Sequence, residues 1–569
     1  MGAAIRSALP ESGRRLLQYL ADCVRIDTRT LAVFRVFAGL LVVADLVLRS
    51  RNFSYFYTDD GVVPRSLVLE LSSGTPLSIY HLTTDPTLIA GLFVLQGLVA
   101  VQLIVGYRTR LATVLTFLFV ISLDHHNPFV LSYADTLFRL LLFWAIFLPL
   151  GERWSIDAAH RDRTPRESIA SVASAFILGQ MIFMYVSNGL IKSQSDVWGS
   201  GDAAPLVLGI HEMTFLLGDV VAQFPTLLSI GGLTWYYMLL ASPLLVLLTG
   251  RWRLPLIGLF AIGHLSFAIT VRIGAFAYVA LAGVLLFVQT SHWEDGRRLL
   301  RYVGVDSNPD PDHSRSRLTP VATTLASIAA RVPSGRLTGD RIPQFRGLDS
   351  DRLEQVRNRT YTLSVAVVVV TVLFVATVTL VTVVSAIVVA DSGDEQPLEE
   401  RVEGALDESL ETTGVQQVDT VATSLGINQP LGWGVFAGPD PRTTDRYYVF
   451  PARTERGAHV DVFNDRPLSY DRPGWELQTQ HGTYRERFYM NSVRRGGTAN
   501  DVPVLLAEHI CDRWPEEHGE ELTHLNMYVL TEEITHETID VPDDRERSYS
   551  LIYRHGCGEN EPRPIEPPE

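Results

Sequence analysis

The sequence predicts an all-α polytopic membrane domain of about nine transmembrane helices, followed by a small extracytoplasmic α+β domain. Three observations carry that prediction. The apolar residues gather into runs near 20 residues long with almost no charge, the length a bilayer core requires. Arginines alternate between successive connections. Acidity is confined to one end: residues 391–569 hold 36 acids against 16 arginines, or −20, whereas the whole chain stands at −15. Such an acidic segment argues against nucleic acid as a partner, which needs a basic footprint.

Residues 1–30 contain five arginines and no apolar core, so they read as a cytoplasmic segment rather than a signal peptide. The first span, 31–48, carries Arg35 and Asp45 inside an apolar run. A long loop over 49–86 contains FYTDDGVVPR. Spans follow at about 87–106 and 110–123, joined by the tight turn GYRTR, and at 134–150, 167–190 and 226–249. The stretch 254–291 holds a seventh and an eighth, broken near VRIG, which completes a membrane domain over 31–291. Residues 292–358 are rich in Pro, Ser, Asp and Arg without periodicity, as in a disordered linker. A ninth span is expected at 359–391.

The N-terminal segment, GYRTR, ERWSIDAAHRDRTPR, GRWR and GRRLLR are arginine-rich and are expected inside, at the plasma membrane. An odd number of spans then places 392–569 outside. That acidic part begins with an amphipathic stretch near 398–424. RYYVFPA, HVDVF, HLNMYVLTEEIT and SYSLIYRHG read as strands, and DVPVLLAEHICDRW as a helix. Cys511 and Cys557 fall there, where oxidation is permitted, so either a disulfide or two free thiols suits the sequence.

Of 48 basic residues only Lys192 is lysine. With the acidic C-terminal part, this bias suggests a salt-adapted, haloarchaeal source. It also singles out Lys192 at the outer end of the fifth span, followed by SQSD and Trp198. Lysine, unlike arginine, loses its proton when desolvated and then acts as a base; the plainer reading is an interfacial cation whose stem lies along apolar surface. His125, His126, His211 and His264 cluster on the same side. They lack metal-ligand spacing and a companion Cys or carboxylate cluster, so no metal is expected. His264 lies inside a span, where hydrogen bonding to a neighbouring helix is the simplest reading. Asp135 and Arg139 are spaced i, i+4, which suits an intrahelical ion pair; a polar cavity among the helices is the alternative.

At the fifth span, YVSNGLIKSQSDVWGSG resembles a segment of the vitamin K-dependent γ-carboxylase and its microbial relatives, the horizontally transferred transmembrane (HTTM) family. FRVFAGLLVVADL, FYTDDGVVPR, VGYRTR, LDHHNPF, FLPLGERWSID and GHLSFAITVRIGAFAYV fit in the same order, together covering roughly residues 25–295. GWGVFAGPDP, WELQ and LLAEHICDRW look like the C-terminal region of many microbial members. The resemblance implies that Lys192 is the base that deprotonates an isoprenoid quinol such as menaquinol, and that His264 is a second catalytic residue. Dioxygen would then drive carboxylation or another modification of an external peptide or small acid. Where the animal carboxylase has an Asn-His pair this sequence reads Tyr133-Ala134-Asp135-Thr136, a departure that counts against glutamate carboxylation unless His126 or His125 replaces the histidine. Asp135, His126 and Trp198 are the candidate quinol-binding residues, and membrane lipids the expected surroundings. A non-catalytic transporter or lipid-binding protein, or a membrane anchor for the outer domain, is the alternative.

Overall fold

The apolar runs fold as helices whose ends are set by local chemistry. A computed structural model describes residues 11–71, 78–161, 163–302, 440–474, 477–496 and 501–567. After α1 (Glu11–Cys23), α2 (Thr28–Ser50) starts where the Asp27 side chain accepts from the Arg29 backbone N–H. Helix α3 (Pro86–Val105) is capped by Asp85 and stopped by Gly106 at φ 68°. A Cβ at Gly106 would lie 2.4 Å from Ser155 Cβ, so both conformation and close approach require glycine. Beside it the buried Arg35 guanidinium donates to the carbonyls of Ile104, Leu150, Arg153 and Trp154, binding this end of the bundle together.

Next come α4 (Thr109–His126), α5 (Tyr133–Ala145), α6 (Val172–Lys192), α7 (Pro225–Ala241), α8 (Leu254–Thr270), α9 (Phe276–Leu285) and α10 (Thr290–Tyr302). Leu88, Val94, Leu98, Phe183, Ile230, Ile262 and Leu265 are all more than half exposed, as a lipid-facing belt requires. Small residues bring helices close: Gly39 of α2 faces Ile104, and Gly283 of α9 faces Met181 of α6.

Among the described residues, four helices are long and apolar enough to cross a membrane: Thr28–Ser50, Pro86–Val105, Val172–Lys192 and Gly250–Thr270. A fifth is counted if α9 and α10, bent by 95° at their junction, act as one broken span. Nine spans are not supported. Helix α4 has 18 residues but ends in Asp124-His125-His126, α5 has only 13, and α9 only 10. At 1.5 Å per residue, α5 reaches only about 20 Å. Helix α7 stops at Ala241, just before Pro243, eight residues short of the expected end. The expected linker likewise begins as helix, because α10 runs to Tyr302. The ninth span and the 398–424 stretch lie outside the described residues.

The C-terminal region contains an antiparallel sheet, as the alternating segments suggest. Its strands are β1 (Thr444–Val449), β2 (Pro451–Thr454), β3 (His459–Asp461), β4 (Arg466–Pro467), β5 (Leu522–Glu533) and β6 (Arg547–Gly556). The long β5 pairs with β1 and β2 in succession along one edge and with β6 along the other. Two helices accompany the sheet, α11 (Tyr484–Gly496) and α12 (Val502–His518). Cys511 of α12 is bridged to Cys557 just past β6, which settles the choice between disulfide and free thiols.

Candidate functional site

Lys192 is the last residue of α6, and only 3% of its surface is exposed. Three residues earlier, Gly189 lets α6 press onto Leu240 of α7, where a Cβ would come within 3.1 Å of backbone. The chain then turns through Ser195, which caps the short helix Asp196–Ser200 and carries the buried Trp198 back over the lysine. Nζ lies 4.2 Å from the centre of the Trp198 ring, within cation–π range. The Trp198 Nε1–H is buried with no hydrogen-bond partner among the described residues.

Two turns back along α6, Tyr185 lies on the same helix face as Lys192, roughly 10 Å down the axis. Its hydroxyl is 2.8 Å from Nε2 of His264 on α8. The histidine is fully enclosed, with Trp235 at 5.2 Å and Phe267 and Phe276 each at 6.2 Å between ring centres. Its Nδ1 has no partner among the described residues. The inter-helix bond expected for His264 is therefore present, and Tyr185 is the partner that sequence reading missed.

Asp135 and His126 have a different set of partners. Asp135 accepts from Arg485 of α11 at 2.9 Å, from Arg49 of α2 at 3.4 Å, and from the Ser132 backbone and hydroxyl. Arg49 also holds Asp45 at 2.7 Å and Asp124 at 2.8 Å, and Arg485 binds Asp45 as well. Arg139 does not take Asp135 four residues away; it turns to Asp124 at 3.6 Å and to Thr136. Three carboxylates and three guanidiniums thus meet at the ends of α2, α4 and α5 in a charge cluster, rather than a polar cavity. His126 is stacked on Tyr57 and accompanied by His81 at 5.2 Å, with Nε2 3.2 Å from the Tyr57 carbonyl. None of these partners belongs to the Lys192–Trp198 or Tyr185–His264 groups.

Arg485 is part of a wider seat for the C-terminal region. Glu212, in the connection after α6, is paired with Arg442 and lies 4.0 Å from Arg487. Burial opposes ionisation of Glu212, but these two arginines outweigh it and hold its carboxyl below the usual range. Burial lowers the pKa of the neighbouring His481 to about 4. Asp445 of β1 accepts from the backbone of His211 and Glu212 and is flanked by Arg472 and Arg545. Ser195, beside Lys192, donates to Asp440 at 2.6 Å.

Residues 24–293 match the family model of the HTTM domain. No curated protein and no solved structure matches the chain.

Proposed function

From the match of residues 24–293 to the HTTM domain model and the apolar helices long enough to cross a membrane, we propose that the chain is a membrane protein that takes an isoprenoid quinol such as menaquinol in beside Lys192 and oxidises it with dioxygen. That oxidation would be coupled to carboxylation, or another modification, of a peptide or small acid. The observation that carries this reading is the buried Lys192, laid on Trp198 and sharing a helix face with the Tyr185–His264 pair.

The residues fit such a group by their donor set. Trp198 Nε1 and His264 Nδ1 are buried polar atoms with unused hydrogen-bonding capacity among the described residues, and aromatic rings surround the histidine. The quinol, when bound, would supply an acidic hydroxyl and the electrons that reduce dioxygen. Lys192 Nζ holds the abstracted proton, and the indole of Trp198 stabilises the resulting ammonium. His264 orients the ring through Nδ1 while Tyr185 fixes the imidazole through Nε2. Asp135 and His126 lie instead in the charge cluster and the Tyr57 stack.

The C-terminal region is assigned to the outer face of the plasma membrane, with the N-terminus inside. The Cys511–Cys557 bridge supports that sidedness, since disulfides persist in oxidising compartments.

The test is oxygen uptake by the purified full-length protein supplied with menaquinol, with Lys192→Ala beside the wild type. Loss of a general base lowers the rate by about 10²- to 10⁴-fold. Quinol that binds without oxygen uptake would leave the transporter or lipid-binding alternative. A silent Lys192→Ala with intact partner binding by the outer region would leave the anchor.

A further inference from the structure

A cavity of about 1140 Å³ opens at the end of the helical region opposite the seat of the C-terminal region. Helices α4, α5 and α6 each have one end at each place. Thr109 lines the cavity while Asp124 meets Arg49; Phe147 lies just past α5 while Asp135 meets Arg485; Ser171 caps α6 while Lys192 ends it. The 18 residues of α4 put about 27 Å between the two. That is close to the thickness of a bilayer's hydrocarbon core.

Four arginines, Arg108, Arg110, Arg161 and Arg166, line the cavity against one acid, Asp157. That acid is already committed. It accepts from the backbone N–H groups of Arg108 and Thr109 at 2.8 and 2.7 Å, and from the Thr109 hydroxyl at 2.7 Å, so it fixes the start of α4. Behind the wall, buried Glu152 gathers Arg161, Arg163 and Arg166 at 3.0, 3.5 and 3.0 Å. One carboxylate cannot neutralise three guanidiniums, and two of these three face the cavity. Among the described residues no carboxylate pairs with Arg108 or Arg110, both exposed. Two apolar side chains of the lining are also open, Leu111 47% and Phe147 51% exposed.

We infer that this cavity seats the phosphate-bearing headgroup of an anionic membrane lipid, whose chains lie along Leu111 and Phe147. Cationic excess in a recess of this size selects a phosphate, and arginine matches its oxygens in bidentate geometry. A free polyphosphate shares that chemistry, but it has no apolar part to lay on the exposed Leu111 and Phe147. The inference is independent of the Lys192 site, which lies at the other end of α6.

The experiment is native mass spectrometry of the full-length protein released from detergent with phosphatidylglycerol, phosphatidylcholine or inorganic pyrophosphate. The variants are Arg108→Gln/Arg110→Gln and, as a control of equal charge loss, Arg251→Gln/Arg298→Gln, which alters exposed arginines outside the cavity. The wild type should retain phosphatidylglycerol in preference to phosphatidylcholine, and the cavity variant should lose about thirtyfold in affinity while the control does not. Thermal unfolding without added lipid should be the same for all three proteins. Equal retention of the two lipids would overturn the inference, as would full retention by the cavity variant. Pyrophosphate binding without any lipid preference would overturn the lipid and point to a soluble phosphate compound.

Discussion

Two sites at the same end of the helices handle buried charge in opposite ways. Where α11 meets α2, α4 and α5, three carboxylates and three guanidiniums face one another at short range. At the end of α6 the Lys192 ammonium lies on an indole, and two turns away a histidine is bonded through Nε2, its Nδ1 unpartnered among the described residues. The first arrangement is built for permanence, since each charge removed leaves its partner buried and uncompensated. The second leaves Trp198 Nε1 and His264 Nδ1 without a hydrogen-bond partner among the described residues, a cost that a bound ligand would offset. The difference separates what holds the C-terminal region in place from what performs the proposed chemistry.

The largest effect expected from breaking that contrast is on the charge cluster. Arg485→Ala strips Asp45 and Asp135 of a shared partner and should destabilise the protein by about 3–5 kcal/mol. Thermal unfolding of the detergent-solubilised protein measures it. Adding Asp135→Asn should recover part of the loss, because one carboxylate then no longer needs a counter-charge. A shift below about 1 kcal/mol would reduce the cluster to the standing of exposed ion pairs.

This cluster also marks the limit of what sequence reading can reach. The apolar runs gave the centres of α2, α3, α6 and α8 because hydropathy is a property of the run itself. Strands β1, β3, β5 and β6 followed from alternation. The number of full-length spans was overestimated because an apolar stretch such as 226–249 does not reveal that Ser242-Pro243 interrupts it. Helix α11 was missed for a different reason. In YRERFYMNSVRRG the buried positions include Arg485 and Arg487, so charge hides the apolar period. Their acceptors, Asp135 and Glu212, lie 350 and 275 residues earlier (485 − 135 and 487 − 212) and no local pattern links them. Lys192 was legible because it is unique in composition; Tyr185 opens the same segment, YVSNGLIK, but its bond to His264, 79 residues later, follows no local pattern.

A smaller effect should appear on acidification, because the seat of the C-terminal region also buries a neutral histidine. His481 is faced by Glu212 from the connection after α6, Arg487 from α11 and Arg272 before α9, and burial brings its pKa down to about 4. The unfolded chain titrates near 6.5 and therefore binds a proton that the folded chain refuses. Stability should accordingly fall as pH drops from about 6.5 towards 4, by at most about 3 kcal/mol from this residue. His211, also lowered chiefly by burial, adds a slope of the same sign. His481→Asn should flatten the dependence of Tm on pH without abolishing it. An unchanged slope would mean that His481 is solvated in the folded protein.

The smallest effect sharpens the contrast most, because it tests the Tyr185–His264 pair for structural and functional roles at once. Tyr185→Phe leaves the buried His264 Nε2 without its partner and should cost about 1–3 kcal/mol. Combining it with His264→Phe replaces both partners by apolar groups, and such a double change returns most of the stability. If the pair serves packing alone, quinol-dependent oxygen uptake should return with stability. If His264 orients the quinol, the double variant should be as stable as the wild type and still impaired in turnover. Because Lys192 is intact in that variant, the remaining defect isolates orientation from proton abstraction.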